Sequence, residues 1–203
     1  MSLQPKWRWL KSTETSQSAG DANVHAPHKI FRMTQQPDNP FLDRLLRHMA
    51  WANQRVLTEL TSIPSNALKL HAPNDPDWTV IEIARHLVDA AGFYCKRLAS
   101  EVSLFEFDDS AEHSDVSQLP IACAGYDALL RELAADPDAS TTFNPRDGVV
   151  VHRARSTIVA QAIHHATEHR TQIAGVLSAH GIAAIDLDSL DLWSFGDAEG
   201  LGD

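Results

Sequence analysis

Cysteine is nearly absent: Cys95 and Cys123 are the only two in 203 residues. Two thiols can close at most one bridge within the chain, so no disulfide framework sets this fold. Long apolar runs are missing as well. No stretch approaches the roughly 18 consecutive apolar residues of a membrane-spanning helix, and the N-terminus lacks the apolar core region of a secretory signal. These absences predict a cytoplasmic protein without a membrane partner. Positive charge is also scarce in the body of the chain. Of the formal net charge of −10, residues up to Thr34 contribute +3 (Lys6, Arg8, Lys11, Lys29 and Arg32 against Glu14 and Asp21), which leaves −13 for the remainder. Such a body repels a phosphate backbone, so nucleic acid is not expected as a partner. Among catalytic strings, neither G-x-S-x-G nor a phosphate-binding glycine loop occurs. No E-x-x-H occurs either, which argues against a ferritin-like di-iron site.

What the chain does have is enough apolar residue for a core, 43%, and an unusual number of histidines, eleven. Residues 1–36 are rich in Ser, Thr, Gln and Lys without apolar periodicity. They read as a flexible tail or N-terminal extension, with Met33 as an alternative start and a weak resemblance to a targeting peptide. Residues 37–203 read as one domain. Its first helix opens with Asn39 as N-cap and Pro40 at the first helical position. Leu42, Leu45, Leu46, Met49, Ala52, Asn53 and Val56 form its inner stripe, and it ends near Ile63-Pro64. A second helix is announced by the capping box Thr79-Val80-Ile81-Glu82, with Trp78 and Ile83 placed as a hydrophobic staple. An acidic loop over about 101–118 precedes a third helix from near Pro120 to Asp136. Two β-branched runs, at 141–143 and 149–151, flank a turn cluster and predict a small hairpin or extended segment. The fourth helix runs from near Ser156 to His180-Gly181. The last twenty residues, with Leu192, Trp193 and Phe195, read as a tail docked on the bundle. The expected fold is all-α: an up-down four-helix bundle with a small hairpin before its last helix.

Three histidines fall on inner stripes. His165 and His169 are four apart, hence on one helix face, in line with Ile158, Ala162, Ile173 and Val176. His86 lines up with Ile83, Ala90 and Phe93. A single inward histidine is ordinarily a satisfied core residue. A pair with a third facing it is different, because clustered buried imidazoles cannot all protonate and each ring nitrogen needs a partner. A divalent cation accepts their lone pairs at about 2.0–2.1 Å in the case of zinc, and three protein ligands leave coordination positions open.

The segment His165-Ala166-Thr167-Glu168-His169 also matches the H-x-x-E-H string of inverted zinc peptidases, in which Glu168 would be the general base. Helical geometry turns Glu168 about 100° from His169, so it is expected to point elsewhere. A broader similarity covers about 160 residues from Asn39 onward. His48-Met49-Ala50-Trp51-Ala52-Asn53, the stretch from Trp78 to Ala90, and the H-x-x-x-H-R-x-Q-I segment from His165 to Ile173 occur in an order and spacing that resemble the DinB-like superfamily. That superfamily includes YfiT-type proteins and thiol-dependent S-transferases. Thr171 stands where the family usually has glycine.

The resemblance implies that His86, His165 and His169 bind a divalent transition metal, nickel or zinc first, with iron or manganese as alternatives. It implies a four-helix bundle assembled as a homodimer. It also implies a metal-dependent enzyme, a thiol S-transferase or hydrolase acting on a small electrophilic substrate, with a low-molecular-weight thiol as co-substrate. The alternative is a non-catalytic metal-binding stress-response bundle. His48 and Asp89 are candidates for supporting hydrogen bonds to the ligand imidazoles. Arg153, Arg155 and Arg170 are candidates for holding an anionic substrate. His164 is about 100° from His165 and lies outside the set, and Cys95 and Cys123 are expected to pack as small apolar side chains.

Overall fold

The structure, a computed structural model, describes residues 39–72, 75–99, 115–146 and 149–201. The extension expected at 1–36 and most of the acidic loop expected over 101–118 lie outside the described residues.

Helix α1 spans Pro40–Ser62, and the Asn39 side chain accepts from the Leu42 amide at 3.1 Å as an N-cap should. Helix α2 spans Val80–Leu98, with the Thr79 hydroxyl accepting from the Glu82 amide at 3.3 Å. The Glu82 carboxylate also pairs with Arg85 one turn on, at 2.7 Å. Helix α3 spans Leu119–Leu133, one turn shorter at its end than the sequence suggests; Ala134 to Asp136 continue as turns. The hairpin forms as expected: β1 (Ser140–Arg146) pairs antiparallel with β2 (Val149–Ala154), with an irregularity between Phe143 and Arg146. Helix α4 spans Arg155–Ala179 and is closed by Gly181 at φ 76°, a left-handed conformation that suits glycine. Its N-terminus borrows a cap from the segment before the hairpin, because Asp138 accepts from both the Ser156 amide (3.0 Å) and its hydroxyl (2.8 Å).

The four-helix bundle expected from the sequence is present, but not its simple up-down order: the helices run up, down, down, up, because α2 and α3 are parallel. Packing neighbours are α1 with α3 and α4, and α2 with α3 and α4. Arg155, at the start of α4, shows the directions directly. Its guanidinium donates to the Leu98 carbonyl ending α2 (2.6 Å) and the Leu133 carbonyl ending α3 (2.7 Å). Helices α2 and α3 therefore finish side by side where α4 begins, and a cation sits on the negative ends of both helix dipoles. The Arg131–Asp43 pair joins the end of α3 to the start of α1 at 2.5 Å.

Two apolar clusters fill the interior. One contains Val56, Leu60, Val80, Ile83, Leu87, Ile173 and Leu177; the other contains Leu46, Met49, Tyr94, Leu98, Leu130, Ile158 and Ala162. Buried polar groups cluster at mid-height. Asn53 (1% exposed) donates to Asp127 (3%) at 3.1 Å, and Arg170 (4%) donates to the Asn53 carbonyl oxygen at 2.5 Å and to the Thr167 hydroxyl at 3.0 Å. Asn53 thus bridges a buried guanidinium and a buried carboxylate, joining α1, α3 and α4.

A short helix α5 (Leu192–Ala198) closes the chain against α1. Of the three tail residues expected to dock, only Phe195 does, tilted on the rings of His48 (5.7 Å) and Trp51 (5.5 Å). Trp193 is 85% exposed and Leu192 also faces outward, since a seven-residue helix offers one narrow inner stripe. No helix among the described residues is long and apolar enough to cross a membrane.

Candidate metal centre

The α2–α4 interface brings His86, His165 and His169 together. The Nε2 atom of His165 lies 3.3 Å from that of His86 and 3.1 Å from that of His169. One ligand atom from each of the three lies within 4.8 Å of those of the others. His169 is buried, and the other two rings are half-buried.

Burial and mutual repulsion keep this cluster neutral. Desolvation, reinforced by His169, lowers the His86 pKa to about 4, and desolvation with both neighbours lowers that of His165 to about 3. His169 is lowered by desolvation too, partly offset by Gln172 and Glu168.

Hydrogen bonding satisfies the arrangement only poorly, since one N–H on His165 would have to be divided between two acceptors. A neutral ring nitrogen either donates or accepts, yet His165 Nε2 faces two other Nε2 atoms at once. A cation resolves the conflict. Nitrogens bound at about 2.0–2.1 Å sit about 2.9 Å apart at octahedral angles and about 3.4 Å apart at tetrahedral ones. The observed 3.1 and 3.3 Å fall in that interval, so these three histidines could hold a metal ion.

The surroundings are aromatic on one side and largely apolar, with a few polar groups, on the other. Trp78 stands edge-on to His86 (5.2 Å between ring centroids) and to His169 (6.0 Å). On the inner side lies a cavity about the size of one water molecule, walled mainly by apolar side chains such as Met49, Leu87 and Leu130, with His165, Tyr94, Asn53 and Asp127 as its polar groups. Burial pushes the Asp127 pKa up, against the pull of Asn53, Cys123 and Arg170.

A family model for the DinB family matches residues 33–195. The chain belongs to the DinB family. Comparison with curated proteins and with solved structures gave no match.

Within this DinB-family chain, the remaining candidates are placed as follows. His48 Nε2–H donates to the Leu190 carbonyl at 2.7 Å, and its ring packs on Trp51 and Phe195, so its described contacts tie it to the C-terminal segment. Asp89 is exposed on α2, and His164 and Glu168 are exposed on α4. All three lie outside the cluster of ligand atoms. Arg155 is engaged at the helix ends and Arg170 in the Asn53 bridge, while Arg153 is exposed and donates to the His152 carbonyl at 2.8 Å. Cys95 and Cys123 are buried thiols. Burial and the nearby Asp127 raise the Cys95 pKa to about 12 and that of Cys123 well above its usual value, so neither offers a thiolate.

Sequence reasoning missed Trp78, Gln172 and Asp127 as neighbours of the site. Signals existed for two of them. Gln172 follows His169 by three positions, which puts both on one helix face. Asp127 sits on the same stripe as Leu119, Cys123 and Leu130, all buried.

Proposed function

We propose that this chain is a metal-dependent enzyme in which His86, His165 and His169 hold a divalent transition metal, nickel or zinc first and iron or manganese as alternatives. The observation that carries this is the convergence of three neutral imidazole nitrogens across the α2–α4 interface. Bound there, the metal would supply Lewis acidity and ease deprotonation of a water or thiol at neutral pH. The residues around it orient and shield. His86 comes from one helix and the other two ligands from its neighbour, so ligand positions are fixed by packed rigid elements. Trp78 shields one flank of the ring cluster from water and offers an apolar wall to a substrate.

Transfer of a low-molecular-weight thiol to a small electrophile, or hydrolysis of one, suits such a site. The family resemblance supports this reaction class, together with a homodimer and a cytoplasmic setting. The test is elemental analysis of the purified protein beside His86→Ala, followed by turnover assays of metal-loaded protein. Electrophile panels would be offered with bacillithiol, mycothiol, glutathione or water. The expected result is about one metal per chain in the wild type, little in the variant, and metal-dependent turnover with one of the nucleophiles. Full metal in His86→Ala sinks the ligand set; metal without any turnover sinks the enzyme.

A second proposal rests on the same crossing of helices. A metal bridging α2 and α4 would stabilise the bundle without catalysis. That role predicts a large fall in thermal stability on chelation together with silence in every turnover assay.

A further inference from the structure

Two ring nitrogens point at one amide oxygen beside the cluster. Gln172 Oε1 is 3.3 Å from Trp78 Nε1 and 2.8 Å from His169 Nδ1. An indole nitrogen can only donate, so Trp78 requires the oxygen of the Gln172 amide, not its nitrogen, to face inward. A carbonyl oxygen can only accept, so His169 must carry its proton on Nδ1. In a neutral imidazole that leaves Nε2 bare, and Nε2 is the atom facing His165 at 3.1 Å. From the indole to the ring cluster, each hydrogen-bonding choice thus forces the next.

We propose that Gln172, its amide oriented by Trp78, is a positioning residue that locks His169 in the tautomer whose Nε2 lone pair points into the histidine cluster. This deepens the metal-site proposal and rests on it for its purpose, since a ligand imidazole must present a lone pair. The lock is built before any ion arrives. Without it, His169 would be free to carry its proton on Nε2, the form free histidine prefers, and that proton would have to leave before binding. Gln172 is exposed and Trp78 only half-buried, so the lock sits at the outer edge of the site rather than in the core.

The test uses full-length apoprotein at neutral pH. Long-range 1H–15N NMR of the imidazoles reads the tautomer, and zinc titration against a competing chelator reads affinity. In the wild type, His169 is expected to carry its proton on Nδ1. Gln172→Leu removes the acceptor at an exposed position, with folding checked by circular dichroism. It should release His169 to the Nε2–H form and weaken zinc binding by roughly 10–100-fold. Gln172→Glu keeps an oxygen acceptor and should restore both readouts, which a packing role for Gln172 would not predict. Trp78→Phe should loosen the lock and give a mixture of tautomers. The proposal is overturned if wild-type His169 is protonated on Nε2. It is equally overturned if Gln172→Leu leaves tautomer and affinity unchanged, or if Gln172→Glu fails to rescue. Should wild-type protein bind no zinc, nickel, iron or manganese, the metal-site proposal fails, and the NMR result still decides the tautomer lock.

Discussion

His86 Nε2 stands 3.3 Å from His165 Nε2 across the α2–α4 interface, too close for both rings to be charged. Their pKa values, lowered by burial and by neighbouring histidines to about 4 and about 3, turn this proximity into a pH dependence. The unfolded chain binds these protons near pH 6.5, the ordinary histidine value. Between pH 6.5 and about 4, and on towards 3 for His165, the unfolded state holds more protons than the native one. Stability is therefore fully present above pH 6.5 and falls as the pH drops through that window. Urea unfolding of the apoprotein at pH 7.5, 5.5 and 4.5 should show this fall, and His165→Ala should flatten it. A wild-type slope equal to that of His165→Ala would remove the cluster as its source.

Neighbouring positions on α4 provide an internal control for the ligand set. His164 and Glu168 are exposed, whereas His165 and His169 contribute to the cluster. Metal content after gel filtration should be near zero for His165→Ala and His169→Ala, and unchanged for His164→Ala and Glu168→Gln. Loss of metal-dependent turnover in Glu168→Gln at full metal content would instead revive a general base at that position.

The Asn53 bridge carries a separate expectation. Arg170→Ala would leave the buried Asn53 oxygen and Asp127 carboxylate without their cationic partner. Removing one partner of a buried charged network typically costs about 3–5 kcal/mol. Asp127→Asn keeps hydrogen-bonding capacity and removes a desolvated charge, so it should cost less. Chemical unfolding of both variants measures the difference, and a smaller loss in Arg170→Ala than in Asp127→Asn would show that the network is not the stabilising unit described.

Much of this was legible in the chain because helices write their inner face into periodic spacing. The i, i+4 interval of His165 and His169 placed two rings on one face without any knowledge of the fold, and Asn39-Pro40 and Gly181 marked helix ends that the structure keeps. The pairing of His86 with that face was different. Periodicity gives a rotation about one helix axis but not which helices are neighbours, so the inner stripe made His86 a candidate third ligand and the family resemblance made it an expected one. The same blindness hid the up-down-down-up order, because a stripe of apolar residues reads the same whichever way its helix runs in the bundle. It also hid Arg155, whose partners are carbonyls at the ends of two other helices and leave no trace in side-chain spacing.

Arg155 yields the last prediction. As a candidate for holding an anionic substrate it would be free to meet one, but its two terminal nitrogens are already committed: one to the Leu98 carbonyl, the other to the Leu133 carbonyl and, at 3.2 Å, to Asp136. A planar fork can serve both helix ends at once. A lysine ammonium is a compact point charge and cannot reproduce that geometry, although it keeps the charge near the helix termini. Arg155→Lys should therefore destabilise the bundle, by about 1.5–3 kcal/mol for hydrogen bonds involving a charged group, and Arg155→Met should cost more because the dipole interaction is lost as well. Metal content should stay at the wild-type level in both, since none of these contacts involves the histidines. Thermal unfolding and elemental analysis on the same samples separate the two roles. Unchanged stability with weakened binding of an anionic substrate would return Arg155 to the binding site and remove it from the helix ends.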